Sequence, residues 1–329
     1  MPTLLLTPRQ TEDAQALWRG TVSLGWHVHR VHGWKIPEVN ATDAAVYAEP
    51  LLATHIAQKL GLELLGPPDD WLSSIPEYWR KRSVLFTTMK EAREYTEPRF
   101  IKSAAGKEFD ARIYESGKDL PRGQMISDSL PVLVQEIVQW DVEYRCFVSD
   151  RHVNAASSYW RDGKYPRDEN GIWAQNELSE AMDFCRSFLS DPNVRLPDAC
   201  VIDVGAIKER GWAVIECNAA WSSGIYDCDG AAVLPVLLRA CRPRCPAGGF
   251  AGAVLLRDGG RPESLESWSD CRCCGRLCGP CGHPLADAFR QQRGRFPSGN
   301  VRLLGVRIRP FGLFRAKYRA QFWLYRRRH

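Results

Sequence analysis

Two stretches decide the fold: PVLVQEIVQWDVEYRCFV (Pro131–Val148) and VIDVGAIKERGWAVIECN (Val201–Asn218). Each places acidic residues inside runs that otherwise read as buried strand. In the second, Val201–Ile207 and Trp212–Asn218 are β-branched and apolar, and Lys208-Glu209-Arg210-Gly211 between them is a turn signal. The segment predicts an antiparallel hairpin. A turn centred on Glu209 and Arg210 sets Asp203 directly opposite Glu216, with Asn218 two residues along on the same face. Gly205 shares that face and leaves it open, while Ile202, Val204, Ile215 and Cys217 turn toward a core. Two carboxylates opposed on a dry sheet repel, and a hard cation relieves that repulsion. A few ligands, all oxygen, suit magnesium shared with phosphates, which makes Asp203, Glu216 and Asn218 the candidate metal ligands. The competing reading is a solvent-facing hairpin with scattered polar groups.

The first stretch supplies the other end of a nucleotide. Val132–Val138 is an apolar strand interrupted by Gln135-Glu136, and Val142–Ser149 is a second strand with Glu143 and Arg145 on one face. A strand end with a free backbone carbonyl and amide, here Glu136 and Ile137, can pair with an adenine edge. Glu143 can take ribose hydroxyls, and Arg145 can reach phosphate bidentately. The alternative is a surface ion pair of Glu143 with Arg145.

QEIVQWDVEYRCFV, followed by VIDVGAI and VIECN, resembles the ATP-grasp superfamily, in particular its compact prokaryotic and phage clade. It is more distantly similar to the ligase that adds glutamate to a ribosomal protein. The resemblance covers roughly Pro76 to Ala240. Its most specific piece is an Asp, a short hairpin, then Glu-x-Asn. It implies an α+β ATP-grasp fold with ATP between two small lobes and Mg2+ on the phosphates. It also implies carboxylate–amine ligation through an acyl phosphate, with small-molecule or peptide substrates.

The same resemblance assigns further residues. Arg99-Phe100-Ile101-Lys102-Ser103 matches a strand whose terminal lysine meets the α- and β-phosphates, although Ser103 stands where many members have proline. Lys107, across a glycine-containing turn, would lie over the phosphates from a mobile loop. Arg82 loosely matches a phosphate-reaching basic residue, but a solvated basic face is the favoured reading. Arg161, ending the strand that begins at His152, is the candidate for facing the acceptor substrate. Trp221, after the last metal ligand, is either a wall of the substrate pocket or a structural tryptophan.

A chain of 329 residues allows about two domains and a sizeable core. No apolar run of ~20 residues exists to cross a membrane. MPTLLLTPRQ is too short an apolar start for a signal peptide, so a cytoplasmic setting is expected. The twelve cysteines then read as free thiols or metal ligands.

The net charge of +5 hides a split: 26 Lys and Arg against 34 Asp and Glu through Ala240, then 18 against 5 from Cys241 onward. Three segments follow. Residues 1–75 form a small α/β lobe, with strands at Thr3–Thr7, His27–Val31 and Ala44–Ala48 and helices at Glu12–Gly25 and Leu51–Leu60. Ala14, Leu17 and Trp18 face its sheet, and Trp26 and Trp34 are core. His27, His29 and His32 read as polar strand edges and not as a metal cluster. Residues 76–240 are the ATP-grasp domain, with a helix opening at Tyr78–Arg82, a second starting at Thr87-Thr88, an amphipathic helix at Asn176–Leu189 and a closing helix at Ala231–Ala240 that takes Pro235 in or near its first turn. Residues 241–329 are a basic, poorly ordered tail holding 17 Arg, one Lys and seven Cys. It reads best as a GC-rich gene translated out of frame. Zinc binding through Cys271, Cys273, Cys274, Cys278, Cys281 and His283, or nucleic-acid binding through Val301–Arg328, are the alternatives.

Overall fold

The protein is described by a computed structural model over residues 1–123 and 126–244. The readings of the tail as poorly ordered or out of frame, zinc-binding or nucleic-acid-binding lie outside the described residues.

Strands β1 (Thr3–Leu6), β2 (His27–Arg30) and β3 (Ala44–Tyr47) form a parallel sheet in the order β2-β1-β3. Helix α1 (Glu12–Leu24) starts where the Thr11 side chain accepts from the Ala14 amide, and stops at Gly25 in the left-handed region. Helix α2 (Pro50–Leu60) stops in the same way at Gly61. Strand β4 (Leu62–Leu64) follows. Two tryptophans depart from expectation. Trp18 is 39% exposed and lies under the Arg30 guanidinium, and Trp34 is 60% exposed with its edge on His55. In each case one cationic or ring neighbour touches the indole without enclosing it.

After single-turn helices α3 (Trp71–Ser74) and α4 (Glu77–Arg80) comes β5 (Val84–Thr88). The expected helix at Tyr78–Arg82 is one turn long, because Lys81 takes φ +47 and the β-prone run Val-Leu-Phe-Thr-Thr leaves as a strand. Thr88 and Glu91 then form a capping box on α5 (Met89–Ala92). Strands β6 (Arg99–Ser103), β7 (Arg112–Tyr114) and β8 (Pro131–Gln135) complete an antiparallel sheet ordered β5-β8-β6-β7.

The second antiparallel sheet holds β9 (Trp140–Ser149), β10 (His152–Arg161), β11 (Ala199–Ile207) and β12 (Gly211–Asn218), in the order β10-β9-β11-β12. Its residues alternate between two environments. Val142, Tyr144, Cys146 and Val148 of β9 pack with Ala181, Cys185 and Phe188 of α6 (Leu178–Ser190). Phe147 and Val201 face the other way, into a core with Leu4, Leu6 and Leu17 and with Val233, Leu234 and Leu237 of α7 (Gly230–Arg239). β13 (Cys241–Pro243) pairs antiparallel with β4, so the chain past residue 240 returns to the N-terminal lobe. The core is thus continuous across residue 75. Pro235 is the sixth residue of α7, one position deeper than in the expected helix because α7 starts at Gly230.

The decisive hairpin reaches its predicted register by an unpredicted route. Its connection is three residues long, giving Ile207↔Gly211 and Val204↔Val214; a bulge at Ile215 then restores Asp203↔Glu216 and Val201↔Asn218. The bulge sends Val214 to the core in place of Ile215. A Cβ on Gly205 would stand 2.9 Å from Ile215 Cδ1 and 2.8 Å from Trp140 Cε3, so the Gly205 position is covered, not open.

Candidate active site

The face of β9, β11 and β12 that bears Asp203 gathers five of the residues singled out by sequence. Asp203 is fully buried and receives two parallel bonds from Arg145, Nε to Oδ1 at 2.8 Å and Nη2 to Oδ2 at 2.7 Å. Asn218 Nδ2 donates to Glu216 Oε1 at 2.9 Å and to Asp203 Oδ2 at 3.3 Å. Lys102, from β6 in the other sheet, pairs with Glu216. Glu143 is 4% exposed and accepts a 2.6 Å bond from the Tyr159 hydroxyl. Glu143 thus sits deep among the carboxylates, and the surface pair of Glu143 with Arg145 does not form: Arg145 belongs to Asp203.

Burial sets the proton affinities here. It pushes the Glu143 carboxyl up; the Tyr159 hydrogen bond lowers it, and the charges of Asp203 and Glu216 raise it again, leaving about 7. Asp203 is pushed up by burial, pulled back by Arg145 and raised by Glu216, to about 6. Glu216 goes the other way: burial raises it, but the Lys102 ammonium and the Asn218 amide hold it well below the usual carboxylate range. Three carboxylates share one dry patch with Lys102 and Arg145, and the buried Arg82 guanidinium also acts on Glu143 and Glu216.

Arg145 is fixed on every side. Nη1 donates to the Gly224 carbonyl at 3.1 Å, and the Tyr159 and Tyr226 rings lie 5.4 and 5.1 Å from the guanidinium carbon. Those rings stack on each other at 5.1 Å. Asp13, in the first turn of α1, comes close behind: its carboxylate accepts from Tyr47 at 3.0 Å, and a Cβ on Gly224 would approach it to 3.3 Å.

The remaining candidates are spread around this cluster. Glu136 is bound by the Ser83 amide (3.1 Å) and by Arg210 (2.6 Å). Ile137 is 41% exposed, and its backbone pairs with no other backbone group among the described residues. Lys107 is exposed on the turn after β6. Arg161 is not brought to the cluster. β10 carries one extra residue, Tyr159, between Ser158↔Tyr144 and Trp160↔Glu143, and this bulge pairs Arg161 with Val142. Arg161 therefore lies on the α6 face, bonded to Glu177 beside Tyr144. Trp221 is structural: its indole N–H donates to the Leu65 carbonyl at 2.9 Å.

Arg82 corrects the reading of a solvated face. It is 3% exposed and donates to Gln135 Oε1 and to the carbonyls of Val214 and Ile215, at 2.7–3.2 Å. It so ties β8 to the bulge that sets Glu216. Burial lowers its pKa to about 10, and Glu216 opposes that loss. No local pattern could show this, because its acceptors come from two distant strands. Tyr159 and Tyr226 were likewise not singled out; alternation along His152–Arg161 would have aimed Tyr159 at this face.

The residues fit a hard cation. Two carboxylates and an amide side chain stand together, with Asn218 Nδ2 reaching both acids, and the set has no sulfur or imidazole. Among the described residues, no group of three or more His, Cys, Asp or Glu stands in metal-holding geometry. His27, His29 and His32 are exposed.

Residues 79–236 match a family described as an ATP-grasp domain, family 2 of its clade. Among solved structures, the chain is similar to a RimK domain protein ATP-grasp from Sphaerobacter thermophilus DSM 20745, at 14% identity and TM-score 0.43, over 72% of this chain and 98% of that one. It is similar to the D-cycloserine synthetase DcsG, at 11% identity and TM-score 0.44, over 72% and 98%. It is also similar to D-alanyl-alanine synthetase A from Vibrio cholerae O1 biovar eltor str. N16961, at 15% and 0.37, over 66% and 88%. No curated protein matches the sequence. The segment that carries this cluster is thus the segment that matches the ATP-grasp domain.

Proposed function

We propose that the protein is an ATP- and magnesium-dependent carboxylate–amine ligase working through an acyl phosphate. The observation that carries this reading is the convergence of Lys102 from one sheet on Glu216, Asn218, Asp203 and Arg145 of the other, inside the segment that matches the family.

Asp203, Glu216 and the amide oxygen of Asn218 would hold Mg2+, which when bound neutralises charge on the transferring phosphoryl group. Lys102 suits phosphate oxygens as a compact charge, and it already stands against Glu216. Lys107 reaches over the phosphates from the exposed turn. Beside Glu136, whose amide is held by the Ser83 carbonyl at 2.9 Å, the unpaired backbone of Ile137 takes the adenine edge. Arg145 cannot swing, because Asp203, Gly224 and two rings fix it; it presents a pre-oriented cation to the carboxylate or acyl phosphate. Glu143, buried on this face and near 7, is assigned a place beside the nucleotide, deeper than a ribose contact at an open strand end. The protein supplies no nucleophile; positioning and charge do the work. Arg161 is left as an anchor of Glu177. The six described cysteines are free, in keeping with a reducing, cytoplasmic setting. No helix among the described residues is long and apolar enough to cross a membrane.

The test is ADP and phosphate release by the full-length protein, with Mg-ATP and a panel of amino acids and short peptides, beside Asp203→Asn and Glu216→Gln. Release that needs both a carboxylate and an amine, and that both variants lose, is expected. Tight Mg-ATP binding without release from any pair would point to a nucleotide-binding relative that does no chemistry. Full activity of either variant would sink the metal assignment.

A further inference from the structure

Arg145 is fixed by a turn whose own conformation is costly. The Gly224 carbonyl accepts from Arg145 Nη1 at 3.1 Å, and the Tyr226 ring lies 5.1 Å from the guanidinium carbon. The backbone at Tyr226 has φ +52, which an aromatic residue rarely adopts. Such a conformation persists only where its surroundings over-determine it.

The N-terminal lobe supplies those surroundings. Ahead of the turn, the Ala48 amide donates to the Trp221 carbonyl at 3.1 Å, and the Trp221 indole donates to the Leu65 carbonyl at 2.9 Å. Ile225 is fully buried in the core that holds Leu4, Ala14 and Leu17. At the turn itself stands Asp13. Its Oδ2 accepts from the Tyr47 hydroxyl at 3.0 Å and would lie 3.3 Å from a Cβ on Gly224. Burial raises the Asp13 carboxyl; the Tyr47 hydroxyl, the Ile225 amide, the Arg145 charge and the Tyr226 amide each favour its anion. The aspartate thus faces the backbone of the turn, with the guanidinium beyond it. Arg145 itself pairs with Asp203 and not with Asp13, so Asp13 acts on it through the turn. Asp13 and Tyr47 both lie outside residues 79–236. The segment that matches the family therefore lacks part of what holds its arginine.

We infer that Asp13 is a positioning residue for Arg145: it holds the Gly224–Tyr226 turn in place, and the turn fixes the guanidinium. That Arg145 meets a substrate carboxylate or acyl phosphate rests on the proposed function; the dependence of Arg145 on Asp13 does not.

The test is solvent exchange of the Arg145 Nη1 protons, followed by NMR on the full-length protein and assigned through Arg145→Lys. Asp13→Ala should speed that exchange about tenfold or more. Asp13→Asn keeps the shape and one acceptor oxygen and should speed it less. Met89→Ala, in the core beneath the other sheet, is the control for lost stability alone and should leave the exchange unchanged. A contact that merely joins the lobes would lower the unfolding temperature of the Asp13 variants without moving the Arg145 signal. That result, or equal acceleration in the Met89 variant, would overturn the inference. If Asp13→Ala does not fold, Asp13→Asn decides by the same readout, and unchanged exchange in it overturns the inference. ADP release from Mg-ATP and the acceptor panel reads the ligase proposal separately. No release by the unaltered protein, with exchange still dependent on Asp13, would sink that proposal and keep this one; release with exchange indifferent to Asp13 would sink this one alone.

Discussion

Glu143→Gln should stabilise the protein at neutral and alkaline pH and change little in acid. Glu143 is 4% exposed, and burial with its carboxylate neighbours raises it from the ordinary 4.5 to about 7. Below about pH 4.5 the group is protonated in both folded and unfolded chains, so it adds nothing to the pH dependence. Between 4.5 and 7 the folded chain binds the extra proton, and stability therefore falls as pH rises. Above 7 the folded chain must carry the charge in a place that disfavours it, and the loss levels off. At 1.36 kcal/mol for each tenfold in proton affinity, the full loss is about 3 kcal/mol. Gln cannot ionise, keeps the shape and still accepts from Tyr159. The variant's advantage in urea unfolding, in buffer free of nucleotide and magnesium, should grow from near zero at pH 4.5 to about 3 kcal/mol at pH 8. An advantage equal at pH 5 and pH 8, or a variant less stable at pH 8, would show that Glu143 does not hold its proton in the folded state.

Arg82→Met should cost about 2–4 kcal/mol in urea unfolding, because Gln135 and the Val214 and Ile215 carbonyls lose their buried donor. Lys102→Met should weaken Mg-ATP binding measured by calorimetry and should also let the Glu216 carboxyl rise from its depressed position, visible as a shifted side-chain titration by NMR. Gly205→Ala should destabilise by about 1–3 kcal/mol, since its Cβ would sit 2.8 Å from the Val142 carbonyl oxygen; unchanged thermal unfolding would contradict the packing of Trp140 over that strand. Gly230→Ala should be at least as damaging by the same measurement, because its Cβ would meet the Ala16 carbonyl oxygen at 2.4 Å where α1 crosses α7.

Local chemistry made much of this protein legible. Thr11 and Gly25 bracket α1, the Thr88–Glu91 box starts α5, and Lys102 ends a short strand, because caps and strand ends depend on neighbours within a few residues. The pairing of Asp203 with Glu216 was readable for the same reason, although a longer turn and a bulge offset each other on the way to it. Bulges are where alternation fails: one extra residue reverses every side chain beyond it. That is why Ile215 and Arg161 lie on faces opposite to those that counting assigns. The sequence by itself thus determined the strands, the acidic hairpin and the family they resemble. Only the tertiary structure decided that Arg145 belongs to Asp203, that Arg82 is buried between two strands, and that Glu143 holds its proton near neutrality. Those outcomes depend on desolvation and on partners tens of residues away, and neither is written in any local window.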